Sequence, residues 1–126
     1  MIIKNSHVID ATSPGPREST VVVEGTQIVD VIPAGGDVPS AADGVEIDLE
    51  GGWLLPGLWD VHAHIGRGIP DPGWRDETTA ERTTRAGRDC MDALRLGITG
   101  MRVVGERDYV DVAWKRAFDS GQFLGP

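Results

Sequence analysis

The chain has 126 residues, of which 40% are apolar and 25% charged, with a net charge of -8. That is ordinary globular composition and enough for one core. The acidity argues against a nucleic-acid partner or an anionic membrane surface, both of which reward basic patches.

The first 50 residues read as β. Ile2-Ile3 and Val8-Ile9 are short strand candidates, and residues 12–17 (TSPGPR) form a Pro/Gly-rich turn. Residues 20–23 and 27–32 are β-branched runs split by Glu24-Gly25-Thr26, which predicts a hairpin. Residues 33–44 are a loop low in bulky side chains. Residues 45–49 (VEIDL) alternate apolar and acidic, as a half-buried strand does.

The pattern changes at Gly51-Gly52. Residues 53–58 are apolar on both faces, broken by Pro56-Gly57, which suits a strand of a buried parallel sheet, and 59–65 form a second short run. A Gly- and Pro-rich loop follows at 66–75. Residues 77–96 have helical periodicity in Ala80, Thr83, Gly87, Cys90 and Leu94. Arg82, Arg85, Arg88 and Arg95 interleave with acids and read as a solvated face. Thr78 with Glu81 fits a capping box, with Asp76 the competing cap, and Gly97 is a plausible stop. Residues 98–104 read as a strand. Val110, Ala113, Trp114, Ala117 and Phe118 mark a second helix, capped by Asp108 and ended by Gly121. The order strand, helix, strand, helix implies parallel strands with crossover helices. The fold expected is therefore α/β with a β-rich N-terminal segment, residues 1–52 forming one part and 53–126 the other.

The lone cysteine, Cys90, has no internal partner for a disulfide and sits at an apolar helix position, so it reads as a packed thiol. The N-terminus lacks the continuous apolar run of a signal peptide, and no segment reaches membrane-spanning length. A cytoplasmic location is the expectation.

Two of the three histidines, His62 and His64, stand one residue apart. On a strand, positions i and i+2 share a side, with Cα atoms about 6.5 Å apart. Both imidazoles then face one way, with Asp60 on the same side, and can tilt toward a common cation. Asp60 either orients a ligating ring or bonds a nearby backbone amide. Arg67 reads as solvated, Arg102 as a mid-strand charge needing a structural partner, and His7 as structural.

The segment LLPGLWDVHAH, residues 54–64, resembles the signature of the amidohydrolase superfamily, an apolar-Pro-Gly stretch leading into D-x-H-x-H. Residues 2–33 resemble the small N-terminal β-sandwich segment of these enzymes. ALRLGITGMRVVG resembles the second barrel strand, usually close to G-[IV]-T-T-x-R-D-x-G, and AFDSGQFLGP resembles the segment after it. The likeness is nearest to imidazolonepropionase-like members and to metal-dependent prolidases and dipeptidases. Gly100 and Val103 depart from the pattern, standing where Thr and Asp are common.

The resemblance implies part of a composite β-sandwich followed by the first two βα units of a TIM-like (β/α)8 barrel. It implies hydrolysis of C–N bonds (amide, peptide or cyclic amide) by metal-activated water, on a small-molecule or dipeptide-like substrate. One or two divalent metals are implied, zinc foremost. His62 and His64 match the first ligand pair. The family's remaining groups are a lysine from strand four, histidines from strands five and six, and an Asp from strand eight, and none has a match here. A full barrel takes about 250 residues, so the chain reads as the front end of an enzyme, inactive by itself and prone to self-association. The substrate-binding residues are unknown, since they belong to later loops. The competing reading is a non-enzymatic relic acting as a binding or interaction module.

Overall fold

A computed structural model of the chain describes residues 1–41, 43–67 and 76–126. Most of the 66–75 loop therefore lies outside the described residues. The chain divides into two compact units, Met1–Pro56 and Gly57–Pro126.

The first unit is one five-stranded sheet. Strands β1 (Ile2–Val8), β2 (Arg17–Glu24) and β3 (Gln27–Pro33) run antiparallel in the order β3-β2-β1, and β4 (Glu46–Asp48) and β5 (Trp53–Leu54) pair parallel to β1. The expected hairpin is present: Glu24 pairs with Gln27, and Gly25 takes φ 57°, a left-handed turn conformation that glycine adopts without strain. β1 is one strand rather than two short ones. It carries an irregularity between Ile3 and Ser6, where Asn5 sits at φ 53° and donates to the Asp48 carboxylate. Ile2, Val8, Val21, Val22 and Ile32 are the buried apolar side chains of this sheet. A second sheet completing a sandwich is absent among the described residues.

Trp53–Leu54, read from sequence as the start of the next strand, instead pairs with β1 through His7↔Trp53. Their rings lie 5.2 Å apart, so His7 is a packing residue. Pro56 lacks a ladder donor, and the strand restarts only at Leu58.

In the second unit β6 (Leu58–Ala63) and β7 (Ile98–Val103) pair in parallel, joined by helix α1 (Thr79–Arg95). A 3-10 turn at Arg107–Tyr109 leads into α2 (Val110–Asp119). Thr78 and Glu81 form the full capping box, and Gly97 at φ 89° ends α1. Cys90 and Ala86 pack on Ile65, with Met101, Val103, Trp114 and Phe118 against them. No helix among the described residues is long and apolar enough to cross a membrane.

Four local expectations fail here. The buried stripe of α1 runs through Arg82, Ala86, Gly87, Cys90 and Ala93, whereas Ala80 is exposed. Arg82 and Arg85 are not a solvated face: Arg82 is 1% exposed and pairs with Asp108 at 2.8 Å, and Arg85 pairs with Glu77. Asp108 does not cap α2, because its carboxylate is taken by Arg82 and Thr79; Tyr109 precedes the helix with no side-chain cap. Arg102 also differs. Its side chain is exposed and has no ion pair among the described residues, so solvent meets the charge that would otherwise need a partner.

A candidate metal site at the end of strand β6

His62 is the penultimate residue of β6, and His64 is the first residue beyond it. The rings approach edge to face, their centroids 5.3 Å apart and their planes at 66°. The His62 side chain is exposed, and His64 is partly so. They stand at the C-terminal end of a parallel strand, where the backbone turns into a loop.

Asp60 takes the second of its two expected roles. Its Oδ1 accepts from the backbone N–H of His62 at 3.0 Å, fixing the main chain as it enters the pair. It makes no hydrogen bond to either imidazole among the described residues.

His64 is held from β7's side. Its Nδ1 lies 3.1 Å from the carbonyl oxygen of Gly105. A carbonyl only accepts, so Nδ1 carries the proton and, in the neutral ring, Nε2 keeps its lone pair. That is the tautomer a metal requires at Nε2. Glu106 Oε1 is 3.7 Å from the same Nδ1, and the Glu106 side chain is only 2% exposed.

The start of α1 clamps the loop beyond the histidines. Arg85 donates from Nη2 to the Gly66 carbonyl at 2.9 Å, and its guanidinium also holds both oxygens of Glu77. Those hydrogen bonds hold the Glu77 carboxyl below its ordinary range and raise the Arg85 guanidinium further. Arg67 is exposed, as expected.

Sequence reasoning overlooked Glu106, the Gly105 carbonyl and the Arg85 clamp. A signal existed for the first two. Gly105 closes β7 as His64 closes β6, and parallel neighbours bring such ends together. Among the described residues no cluster of three or more His, Cys, Asp or Glu is placed to hold a metal. Two imidazoles are donors of the kind zinc takes, but two are fewer than the three protein ligands a catalytic zinc usually has.

No protein-family model matches the chain. By sequence it is similar to an allantoinase of Streptomyces avermitilis, 37% identical over 90 residues, covering 69% of this chain and 18% of that protein. It is similar to a dihydroorotase of Carboxydothermus hydrogenoformans, 31% identical over 108 residues, covering 86% of this chain and 22% of that one. By structure it is similar to a Xaa-Pro dipeptidase crystallised with methionine in its active site, with TM-score 0.85 and 26% identity over 99% of this chain and 31% of that one. The chain thus spans about a fifth of the length of the two sequence relatives.

Proposed function

The chain belongs to the amidohydrolase superfamily, and on that premise we propose that His62 and His64 are the first two protein ligands of a divalent metal, zinc foremost, in a hydrolase of C–N bonds. The bonds are amide, peptide or cyclic amide, in a small-molecule or dipeptide-like substrate. In this reading β6 and β7 open a (β/α)8 barrel, and residues 1–52 contribute strands to a small sandwich.

The observation that carries the reading is the pairing of the two rings at a strand's C-terminal end, with His64 Nδ1 engaged and its Nε2 left available. A bound divalent cation supplies Lewis acidity and lowers the pKa of a coordinated water toward neutrality. The chain's own residues contribute the positioning. Asp60 fixes the backbone at His62, the Gly105 carbonyl accepts from His64 Nδ1, and Arg85 pins the loop at Gly66.

A catalytic zinc usually has three protein ligands, so two imidazoles are fewer than the reaction needs. In this reading the 126 residues do not hydrolyse substrate by themselves. The remaining ligands and the general base come from further barrel strands. The two faces of β6 agree with that need: Leu58 on one and Trp59 and Val61 on the other are 56%, 69% and 65% exposed, on a sheet of two strands among the described residues. Parallel strands of this kind are ordinarily covered on both faces. In isolation these side chains form the surface through which copies of the chain would associate.

Equilibrium dialysis against zinc tests the reading on the wild-type chain and on His62→Ala, His64→Ala and the double variant. Each single substitution is expected to weaken binding by about tenfold or more, as loss of one of two ligands must. Equal zinc uptake by wild type and double variant would reject the assignment.

A further inference from the structure

Glu106 is the least explained charged group in the second unit. It follows β7, its side chain is 2% exposed, and its Oε1 is buried with no hydrogen-bond partner among the described residues. An ionised carboxylate held this way loses hydration without full compensation. Such a group persists where something nearby uses its charge or its acceptor capacity.

What it faces is specific. Oε1 looks toward His64 Nδ1 at 3.7 Å, beside the 3.1 Å contact from Nδ1 to the Gly105 carbonyl. The other oxygen runs under Gly66, where an added Cβ would fall 2.2 Å from Oε2. The space Glu106 occupies therefore exists because residue 66 has no side chain. Arg85 adds positive charge nearby, and Glu106 is among the groups that raise it. Two acceptors, one of them anionic, thus flank a single imidazole N–H.

We propose that Glu106 is a positioning residue for His64, holding the ring with Nδ1 protonated and Nε2 presented to the metal, and adding negative potential behind it. This rests on the reading of His64 as a ligand, and it goes beyond the histidine pair by naming the carboxylate that orients it. A carboxylate behind a ligating histidine raises its basicity as well as fixing its tautomer. The Gly105 carbonyl supplies direction only. Glu106 supplies the charge.

Two readouts on the 126-residue chain test this. The first uses no metal: long-range ¹H–¹⁵N correlation of the His64 ring. Wild type should show the Nδ1–H tautomer. Glu106→Ala should show a mixture of tautomers, and Glu106→Gln, which keeps an acceptor oxygen, should stay close to wild type. Gly66→Ala, which displaces the carboxylate without removing it, should move toward the alanine variant. Should Glu106→Ala lose its helical circular dichroism, Gly66→Ala decides in its place. A wild-type tautomer in each folded variant would overturn the proposal.

The second readout is zinc affinity. Glu106→Gln should weaken it by about 10- to 100-fold although the shape is preserved. A merely space-filling role would leave the glutamine variant at wild-type affinity, and that result also overturns the proposal. If the wild-type chain binds no zinc, the assignment of His62 and His64 as ligands fails, and the metal-free tautomer alone decides whether Glu106 governs the ring.

Discussion

The indole of Trp59 lies across Gly100, its register partner on β7, so closely that a Cβ at residue 100 would fall 2.4 Å from Cε2. This accounts for glycine where the resembling family commonly has threonine. Trp59 is also 69% exposed, so its ring has room to leave. Gly100 is itself buried, but the obstructing ring can swing into solvent, so Gly100→Thr should displace the indole at a cost of about 1 kcal/mol, the ordinary size for a substitution. The Trp59 indole N–H resonance and the urea midpoint read the two effects separately. An unmoved resonance would contradict the contact.

A second glycine under a tryptophan should behave differently. A Cβ at Gly87 would fall 1.9 Å from Trp114 Cζ2, and Trp114 is half-buried against the core cluster and donates to the Thr83 carbonyl at 2.7 Å. Alanine gains about 1 kcal/mol in helix propensity over glycine. Overpacking against a ring held by its hydrogen bond to Thr83 costs about 1–3 kcal/mol, and that hydrogen bond is at risk as well. Gly87→Ala should thus be net destabilising in urea denaturation. A stabilised variant would show that α1 and α2 do not meet this closely.

The Arg82–Asp108 pair is asymmetric, with side-chain exposures of 1% and 42%. Asp108→Ala leaves a buried guanidinium without its counter-ion and should cost about 2–3 kcal/mol, below the range for fully buried pairs because the carboxylate is partly solvated. Arg82→Met removes the charge and keeps most of the volume, and should cost less than Asp108→Ala. The order of urea midpoints checks this, and the reverse order would refute it.

Burial, with a smaller push from Asp89, raises the Cys90 thiol to about 11. In the unfolded chain the thiol ionises near its ordinary value, so the unfolded state loses its proton first as pH rises. Stability from this group is full below about pH 9 and is lost between about 9 and 11, with a slope of at most ~1.4 kcal/mol per pH unit. The wild-type urea midpoint should fall more steeply over that window than that of Cys90→Ala. Parallel profiles would contradict the burial. At neutral pH the folded thiol should resist alkylation.

Local chemistry was legible in the sequence, and tertiary chemistry was not. Gly25-Thr26 announced a hairpin, Thr78 and Glu81 a capping box, Gly97 a helix stop, and His62 and His64 a shared side at a strand end. Each depends on neighbours within a few residues. Arg82 was misread because its burial is decided by Asp108, 26 residues away in a turn where Asp108 itself takes φ 61°. The spacing 82, 86, 90, 93 carried the helical period, but a charged residue within it reads as surface by composition. The signal for Glu106 was not local but lay in its place at the end of β7, beside the end of β6. Its significance comes from the glycine at 66 and the ring at 64, which only the parallel pairing of β6 and β7 brings near. The strand ran on through Trp53 in the sequence reading because apolar runs do not mark where pairing changes partner, and Trp53 pairs with β1 instead.

The most direct test of the central claim is a zinc titration of the ¹⁵N-labelled chain, following the ring nitrogens of His62 and His64. Both should respond together and saturate at one cation per chain, with His64 coordinating through Nε2 while Nδ1 remains protonated. Independent responses from the two rings, or no response from either, would contradict a shared metal site.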